Sequence, residues 1–527
     1  MAPLFLGLDV GTQGVKAVVY DAASRRIVGR GAQAYGLIDS PVPGRAEQHP
    51  DTWVAGALAA ARGALAGFDA SSVRGVGVSG QQHGMVVLDG EDRVLRPAKL
   101  WCDTESAPEA AELSAQLGYT LVPSITSTKL LWLRRHEPDV WARVAAVLLP
   151  HDYINLWLTG RKATEAGDAS GTGLMDIAAR RWDPALAAMI DEQLLGWLPP
   201  ILGPDEARQR QRRRGRRGRR GAAPRSGCPR LALTARAAAR AQAVGVVRPE
   251  VAAQLGLGGD VLVSPGSGDN AMAALGAGIS QPGQLVVSLG TSATLFGVAG
   301  APIVDPAGAV CGFCDATGAW LPLICTLNCT RPAEDVLAAF GIDHAAATAL
   351  AAAEPPGCEG VSFLPYLVGE RTPNWPDSTG ALLGLRPGLL RPGLLYRAAL
   401  EGATLSLAAA LGAATRLGLV PTELRLVGGG SKNGLWRQIV ADVFQLPVRV
   451  PLEAESAALG AALQAAAVAS GVPVGEFIAE NQPPMADEVV QPNPAHNEAY
   501  AASLARHVSR GEALFGGGAA AARGAAQ

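Results

Sequence analysis

The chain has 527 residues, and at about 150 residues per domain it is expected to form two large domains or three to four smaller ones. Hydrophobic residues make up 48% of it and charged residues 17%, which is ordinary for a soluble globular enzyme. The formal net charge of −2 gives no general electrostatic reason to bind nucleic acid or an acidic membrane, so neither is expected as a partner.

The start of the chain and its cysteines bear on its compartment. The apolar stretch from Ala2 to Leu8 is short and ends at Asp9, so no signal peptide is predicted. No uninterrupted apolar run is long enough to span a bilayer. Seven cysteines, an odd number in a long chain, do not indicate a disulfide framework. A cytoplasmic protein is therefore expected.

The first 150 residues predict an α/β domain. Strand-like apolar runs occur at Leu4 to Leu8, Val15 to Tyr20, Val73 to Ser79 and Met85 to Leu88, and an alanine-rich helix is predicted from Thr52 to Ala66. Alternation of strands and helices of this kind is typical of an α/β domain with a mixed sheet.

A glycine-threonine turn between apolar runs occurs once in each half, in Leu6 to Gly14 and in Val286 to Thr294. Each predicts a β-hairpin whose tight turn offers backbone N–H groups to an anion. Two unrelated hairpins would explain either turn alone, because glycine-rich turns are common. Together the turns favour a duplicated domain with a polyphosphate held between the halves.

An arginine-rich block at 208–220, within a low-complexity segment at 206–230, separates the halves. A like-charge block cannot bury apolar surface, so a disordered loop is predicted. A nucleic-acid or phosphate contact and locally out-of-frame translation are the alternatives. The glycine- and alanine-rich end, 516–527, predicts a flexible tail.

The second half repeats the pattern of the first. Strands are predicted at Val261 to Ser264, at Val286 to Ser288, as a pair from Cys311 to Cys325, and at Leu424 to Val427. Long helices are predicted around Leu394 to Leu411 and Ala454 to Ala467.

Four cysteines, Cys311, Cys314, Cys325 and Cys329, have the C-x2-C and C-x3-C spacing of a zinc site. The turn residues Asp315 to Gly318 instead favour two apolar strands, in which cysteine is a small core residue. Ordinary packing is the preferred interpretation.

Three polar segments follow predicted strands, where α/β proteins bind ligands. Ser79 to Gly84 contains a Gln-His pair, which alone would more often be a core or loop feature. Pro265 to Asn270 places Asp269 at the start of a helix, where it would otherwise be a simple N-cap. Gly428 to Gly434 opens a further helix and lets a flat ring or a phosphate approach the backbone.

Together these segments resemble the FGGY carbohydrate kinases. The matching motifs occur in the family's order and cover nearly the whole chain outside the arginine block and the C-terminal end. They are Asp9 to Thr12, Ser79 to Gly84, Leu100 to Asp103, Lys129 to Trp132, His136 to Pro138, Leu149 to Tyr153, Leu158 to Gly160, Asp168 to Thr172, Gly268 to Asn270, Ser288 to Ser292, Leu364 to Leu367, Gly369 to Pro373 and Gly428 to Trp436.

The resemblance implies two duplicated actin-like ATPase domains, of the ribonuclease H-like type, with a catalytic cleft between them. The N-terminal domain, expected at 1–254, would bind the sugar. The C-terminal domain, expected at 255–515, would bind the nucleotide and carry the catalytic aspartate.

The resemblance also implies the roles of individual residues. Asp269 would be the general base, and Asp9 would be catalytic by orienting Mg²⁺ or its waters. The residues expected to bind the sugar are Gln82, His83, Asn270, Trp101 and Asp103. Those expected to bind ATP are Gly11, Thr12, Gln13, Gly290, Thr291, Gly428, Gly429, Gly430 and Asn433.

The implied activity is ATP-dependent phosphorylation of D-xylulose, with ATP and Mg²⁺ as cofactors. Ribulose, sedoheptulose, gluconate and glycerol are alternative substrates, because a few hydroxyl contacts distinguish them. A non-metabolic actin-fold ATPase is a remote alternative, since such a protein has no reason to carry the sugar segment. A homodimer is expected from the family alone.

Overall fold

The structure is a computed structural model that describes residues 3–202 and 243–516. The arginine-rich segment at 206–230 lies outside the described residues, as does the tail after Gly516. What the sequence predicts for those two segments stays a prediction.

The first half forms a seven-stranded mixed sheet. Leu4–Val10 and Gly14–Asp21 form an antiparallel hairpin, and Leu4–Val10 also pairs in parallel with Val73–Gly80. The strand order is Gly245–Val246, Leu262–Val263, Val73–Gly80, Leu4–Val10, Gly14–Asp21 and Arg26–Ala34, and Ser267–Gly268 pairs with the end of Val73–Gly80.

The second half repeats this arrangement in a six-stranded sheet. Gln284–Leu289 and Ala293–Gly297 form the antiparallel hairpin, and Gln284–Leu289 pairs in parallel with Glu423–Val427. The strand order is Cys311–Cys314, Trp320–Thr326, Ala293–Gly297, Gln284–Leu289, Glu423–Val427 and Val448–Arg449. The matching order and directions confirm the duplicated α/β fold predicted from the sequence.

Shorter strands pair outside the two sheets. They are Val86–Leu88 with Ala146–Leu148, Glu47–Gln48 with Ala98–Lys99, Thr164–Glu165 with Ile201–Leu202, Met175–Asp176 with Arg181–Trp182, and Ser362–Leu364 with Ala381–Leu383. The strand predicted from Met85 to Leu88 therefore exists, but it lies in one of these pairs and not in the first sheet.

The helices follow ordinary start and stop signals: Pro50 and Pro150 occupy first helical positions, and Gly160 and Gly471 end helices in the left-handed conformation. In chain order, the helices of the described residues are Pro50–Leu65, Ala107–Leu117, Thr126–His136, Pro138–Trp141, Pro150–Thr159, Ala166–Ala169, Pro184–Ala188, Leu194–Trp197, Pro249–Leu255, Asp269–Gly276, Arg331–Phe340, His344–Ala352, Pro392–Arg416, Gly434–Phe444, Ser456–Ser470, Val474–Glu480 and Asn497–Phe515.

Two neighbouring helices lie between the sheets. Ser456–Ser470 packs on the first sheet and shares a core with Phe5 and Val18. Asp269–Gly276 packs against Ser456–Ser470 on one side, and its Ala271 joins the core of the second sheet on the other. The sheets are therefore joined through a double layer of helix.

Other helices cover the outer faces of the sheets. Pro50–Leu65 packs its alanines and Trp53 against the first sheet, and Pro392–Arg416 packs against the second. Each half therefore has its own apolar core, as a chain of this length requires.

Glycines bring the central helices and the first sheet into backbone contact. A Cβ added to Gly7 would lie 1.9 Å from the carbonyl oxygen of Ala458, and one added to Gly77 would meet the same helix at 2.0 Å. Between the two helices, a Cβ on Gly276 would lie 1.8 Å from the oxygen of Ser456. Packed interiors leave no room for an extra carbon at such distances. Larger residues would force the layers apart.

Membership of the sheets does not follow the expected division at residues 254 and 255. Leu262–Val263 and Ser267–Gly268 still belong to the first sheet, and Ser456–Ser470 returns to pack on it. The helix Asp269–Gly276 leads from the last strand of the first sheet to the second sheet, and Ser456–Ser470 returns to the first. A division of the chain into independent domains at 254 stays a prediction.

One helix of the described residues, Pro392–Arg416, is long and apolar enough to cross a membrane by length and composition alone. Its apolar sequence is interrupted by Arg397 and Glu401, whose side chains pair at 2.7 Å. Of the most apolar 18-residue stretch of this helix, 78% is buried inside the protein. Two bent helix pairs are long and apolar enough only if each pair is counted as one span: Arg331–Phe340 with His344–Ala352, and Ser456–Ser470 with Val474–Glu480. Packing in the core of the second half accounts for this helix.

The four cysteines with zinc-like spacing lie in or next to Cys311–Cys314 and Trp320–Thr326. Cys314 and Cys329 are buried, and all four are free thiols. Within the described residues they do not converge on one point, where a metal would require them to meet.

We expect Gly7→Ala to destabilise the protein by roughly 1–3 kcal/mol or more, because its Cβ overlaps the backbone of Ser456–Ser470. Gly36→Ala is the matched control, since a Cβ there meets nothing within 4 Å. Thermal denaturation should show a lower midpoint for Gly7→Ala alone. Equal midpoints for the two variants would contradict the close packing.

Candidate active site

The first glycine-threonine turn joins the hairpin Leu4–Val10 and Gly14–Asp21, as predicted. The backbone N–H of Gly11 donates to the oxygen of Gly14 at 3.0 Å, which closes the turn. Thr12 is partly exposed and Gln13 is exposed, so both are accessible to a ligand.

A chain of hydrogen bonds fixes this turn. The indole of Trp101 donates to Oγ1 of Thr12 at 2.9 Å, and Thr12 donates to Oε1 of Gln81 at 2.9 Å. Gln48 accepts from Gln81 at 3.0 Å and donates to the backbone oxygen of Thr12 at 2.7 Å. Sequence reasoning missed Gln48, because it follows no recognisable motif. Trp101, with 47% of its surface exposed, is available for a ligand as well.

Asp9 lies at the end of its strand, where parallel pairing places it opposite Ser79. The Ser79 hydroxyl donates to Oδ1 of Asp9 at 2.8 Å. Burial raises the pKa of Asp9, and the hydrogen bond from Ser79 partly opposes this. The two strand ends thus hold a carboxylate beside the phosphate turn.

Asp269 is the first residue of the helix Asp269–Gly276, whose N-cap is Gly268. The alternative that Asp269 is merely the N-cap is therefore wrong. Its Oδ1 accepts from the backbone N–H of Asn270 at 2.7 Å and from Nδ2 of Asn270 at 3.0 Å. Burial, followed by the negative charges of Asp9 and Asp168, raises the pKa of Asp269 to about 7. A carboxyl group with this pKa is suited to accept a proton near neutral pH.

Gln82 and Asn270 meet although they are far apart in sequence. Nδ2 of Asn270 donates to Oε1 of Gln82 at 2.8 Å. The pairing of Gly268 with Gly80 sets this contact, because it brings the two strand ends into register. The structure therefore unites Asp9, Gln82, Asp269 and Asn270 at one sheet edge.

His83 has a left-handed backbone, with φ of 63°, and lies against the other half of the protein. Its ring lies 5.8 Å from that of Phe313, which belongs to the strand Cys311–Cys314. Burial and the nearby cations Lys129 and Arg371 lower the pKa of His83 to about 3. The imidazole is therefore neutral near pH 7 and can exchange hydrogen bonds with hydroxyl groups. Phe313 gives no signal in the sequence.

Lys129 supports the segment around His83 from beneath. It is fully buried, and its Nζ donates to the backbone oxygen of His83 at 2.9 Å and to that of Ser124 at 2.5 Å. Burial lowers the pKa of Lys129 to about 7. The sequence placed Lys129 in a motif without giving it a role.

Asp103 lies in a buried ion network rather than on an open surface. It is fully buried and accepts from Lys99 at 3.1 Å and from the backbone N–H of Ala46 at 2.9 Å. Glu47, Asp103 and Glu105 form the one group of three possible metal ligands found in the described residues. The Lys99 ammonium lies where a metal ion would bind, because it contacts all three carboxylates. Direct contact between Asp103 and a sugar stays a prediction that the burial does not favour.

The second glycine-threonine turn closes the hairpin Gln284–Leu289 and Ala293–Gly297, with Gly290 donating to Ser292 at 3.1 Å. Thr291 is exposed. The glycine segment lies beside this turn, because a Cβ on Gly428 would meet the backbone of Leu289 at 2.6 Å. Gly428 has φ of 85°, a conformation that glycine adopts without strain.

The glycine segment offers an open surface at its centre. A Cβ on Gly429 would meet nothing within 4 Å, whereas Gly430 is buried against Trp436. Asn433 caps the helix Gly434–Phe444 by accepting from the N–H of Trp436 at 3.2 Å. Its Nδ2 donates to Oγ1 of Thr348 at 2.9 Å. Asn433 thus has a structural role, and contact with a nucleotide stays a prediction.

The first half brings a carboxylate with a near-neutral pKa and a second buried carboxylate close to the first glycine turn, and the second half places the other glycine turn beside the glycine segment. Such a set can accept a proton from a hydroxyl group and hold a polyphosphate. Ser79, Gln81 and Asp168 lie within the family's motifs, but the sequence alone predicts no roles for them.

Comparison with known sequences matches both halves to one family. The profile of the FGGY family of carbohydrate kinases, N-terminal domain, matches residues 4–210. The profile of the C-terminal domain of the same family matches residues 285–469.

Individual relatives agree with this assignment. A xylulose kinase of Haemophilus influenzae is 37% identical over 473 residues, which cover 87% of this chain and 89% of the relative. A xylulose kinase of Streptomyces rubiginosus is 40% identical over 487 residues, covering 90% and 89%. The crystal structure of a "xyloylose kinase" from Brucella ovis, 34% identical, superimposes with a TM-score of 0.84 over 97% of this chain and 99% of that one. The chain therefore belongs to the FGGY family of carbohydrate kinases.

Proposed function

We propose that this carbohydrate kinase transfers the γ-phosphate of ATP to D-xylulose, giving D-xylulose 5-phosphate for the pentose phosphate pathway. The observation that carries the proposal is Asp269, a buried carboxyl with a pKa of about 7 beside the Asn270–Gln82 pair. The names of the relatives from Haemophilus influenzae and Streptomyces rubiginosus support xylulose as the sugar.

In this proposal Asp269 acts as general base. Its carboxylate takes the proton of the carbon-5 hydroxyl as that oxygen forms a bond to the γ-phosphorus. The bond from the γ-phosphorus to the bridging oxygen breaks, and ADP leaves. Burial of Asp269 serves this role, because it keeps the carboxylate basic enough at neutral pH.

The residues present suit a magnesium ion carried by the nucleotide. Asp9 offers a carboxylate beside the first phosphate turn, with Ser79 donating to one of its oxygens. Mg²⁺ prefers one or two carboxylates together with phosphate oxygens and water, so a cage of several protein ligands is not required. When bound, it would neutralise phosphate charge.

ATP would lie between the two turns and the glycine segment. We propose that Gly11, Thr12 and Gln13 hold the phosphates from one side, with Gly290 and Thr291 on the other. Gly428, Gly429 and Gly430 would bed the adenosine, and the open surface at Gly429 supports this. Closure of the halves would keep water from the γ-phosphate, so hydrolysis of ATP without sugar should be slow.

The sugar would be bound by Gln82, His83, Asn270 and Trp101. Ribulose, sedoheptulose, gluconate and glycerol remain alternative substrates, because few contacts separate them. We further propose a cytoplasmic location and partners limited to small molecules and a second copy of the chain.

We expect Asp269→Asn to lower kcat by about a hundredfold or more, because an amide keeps the shape but cannot accept the proton. ATP binding, measured by calorimetry, should be nearly unchanged. A variant that keeps more than about a tenth of wild-type turnover would contradict the assignment.

In the wild-type enzyme we expect kcat/KM to fall as the pH drops below about 7, because Asp269 is then protonated and cannot accept the proton.

We expect Asp9→Ala to lower magnesium-dependent turnover far more than it weakens xylulose binding, since its proposed partner is the metal–phosphate unit. Raising the Mg²⁺ concentration should restore activity only in part. Xylulose affinity is measured by calorimetry without nucleotide. An equal loss of sugar affinity there would count against the metal role.

We expect His83→Ala to lower turnover on D-xylulose and to flatten the preference over D-ribulose, its carbon-3 epimer. A buried imidazole left without its sugar hydroxyl costs ~1–3 kcal/mol, so the native enzyme should discriminate between the two. The kcat/KM ratio from a coupled ADP-release assay measures this, with thermal denaturation as control. If only stability changes, His83 is structural. A wild-type preference for glycerol or ribulose would refute xylulose but leave the kinase assignment intact.

A further inference from the structure

We propose that His151, held between Asp152 and Asp168, is a positioning residue that fixes the strand ends preceding Gln82 and Asp269. This inference rests on the proposed function, in which Asp269 is the general base. No role was assigned above to these three buried side chains.

Both ring nitrogens of His151 face carboxylates. Nδ1 lies 2.8 Å from Oδ2 of Asp168, and Nε2 lies 3.0 Å from Oδ1 of Asp152. All three side chains are at most 1% exposed. Burial alone would lower the pKa of His151, but the carboxylates of Asp152 and Asp168 outweigh it and raise that pKa well above its ordinary value. The raised pKa and the two facing carboxylates favour the positively charged form of His151 near neutral pH.

The same residue lies under both segments of the site. A Cβ on Gly80 would lie 2.9 Å from Cβ of His151, and a Cβ on Gly266 would lie 3.1 Å from Cδ2 of the ring. Gly80 directly precedes Gln81 and Gln82, and Gly266 lies three residues before Asp269. The position of His151 therefore affects the spacing between the sugar segment and the base.

Glu165, the N-cap of the short helix Ala166–Ala169, connects Asp168 to the segment that carries the base. The backbone N–H of Asp168 donates to Oε1 of Glu165 at 2.7 Å, and the same oxygen accepts from Ser267 at 2.7 Å. Ser267 lies two residues before Asp269. A shift of Asp168 would therefore be passed to the base through Glu165 and Ser267.

The charges around the base follow from this arrangement. Asp269 is affected by the carboxylates of Asp9 and Asp168, and Asp168 in turn faces the His151 cation. Glu165 also lies near His151, and burial raises the pKa of Glu165 to about 7. Removal of the Asp168 charge should make Asp269 easier to ionise. Removal of the His151 charge should make it harder to ionise.

The test compares the pH dependence of kcat/KM in His151→Gln and Asp168→Asn. We expect Asp168→Asn to move the acid limb to lower pH by about half a unit or more, and His151→Gln to move it to higher pH. In His151→Gln, kcat should fall by about tenfold or more with KM for ATP nearly unchanged, because misplaced reacting groups slow the chemical step. The double variant should return the limb towards that of the wild type.

Asp442→Asn is the matched control, because Asp442 is also buried and pairs with His496 at 2.7 Å in the second half. It should lower the thermal midpoint without moving the acid limb. A loss of stability and activity with an unmoved limb in both test variants would overturn the inference. If His151→Gln does not fold, Asp152→Asn decides in its place, because it loosens His151 without removing the Asp168 charge. A lower kcat with an unchanged KM for ATP would then support the role of His151, and an unchanged kcat would overturn it.

Two outcomes separate the role of His151 from that of Asp269. An inactive Asp269→Asn variant together with unmoved limbs refutes only the role of His151. An active Asp269→Asn variant shows that Asp269 is not the general base, whether or not the acid limbs of the other variants have moved.

Discussion

The structure depends on the backbone contact between the helix Ser456–Ser470 and the first sheet. Gly7 and Gly77 remove the side chains that would separate them, and Gly276 does the same between the two central helices. Close contact of this kind gains dispersion energy over the whole surface but tolerates no added carbon. Because Asp269 begins one of these helices, the packing also sets where the proposed base lies.

Burial of charge is the second constraint on the site. Burial raises the pKa of Asp9, Asp168 and Asp269, and the charges of Asp9 and Asp168 raise that of Asp269 further. Isolated buried carboxylates are costly, so the protein compensates with Ser79 beside Asp9 and with His151 beside Asp168. The cost at Asp269 is left uncompensated by any ion pair among the described residues, which keeps that carboxyl basic.

Local patterns in the sequence predicted the parts that depend on local chemistry. Both glycine turns and the strands before them were found, because apolar runs on either side of a Gly-Thr pair predict a hairpin. Contacts between distant segments could not be read in this way. Sheet register and helix packing bring Gln48 and Phe313 close to the other candidate site residues, and they also bring Asp168 against His151. Asp103 lies in a buried ion network. Leu262–Val263 and Ser267–Gly268 join the first sheet in the same way, because strand pairing brings together segments that are distant in the chain.

If His83 selects the sugar and Asp269 is the general base, as proposed, the low pKa of His83 separates selectivity from rate. With a pKa of about 3, this imidazole keeps one protonation state throughout the range in which Asp269, with a pKa of about 7, changes its own. Acidification of the cell would then slow the enzyme without altering which sugar it accepts. Flux through the reaction would respond to pH, whereas the identity of the product would not.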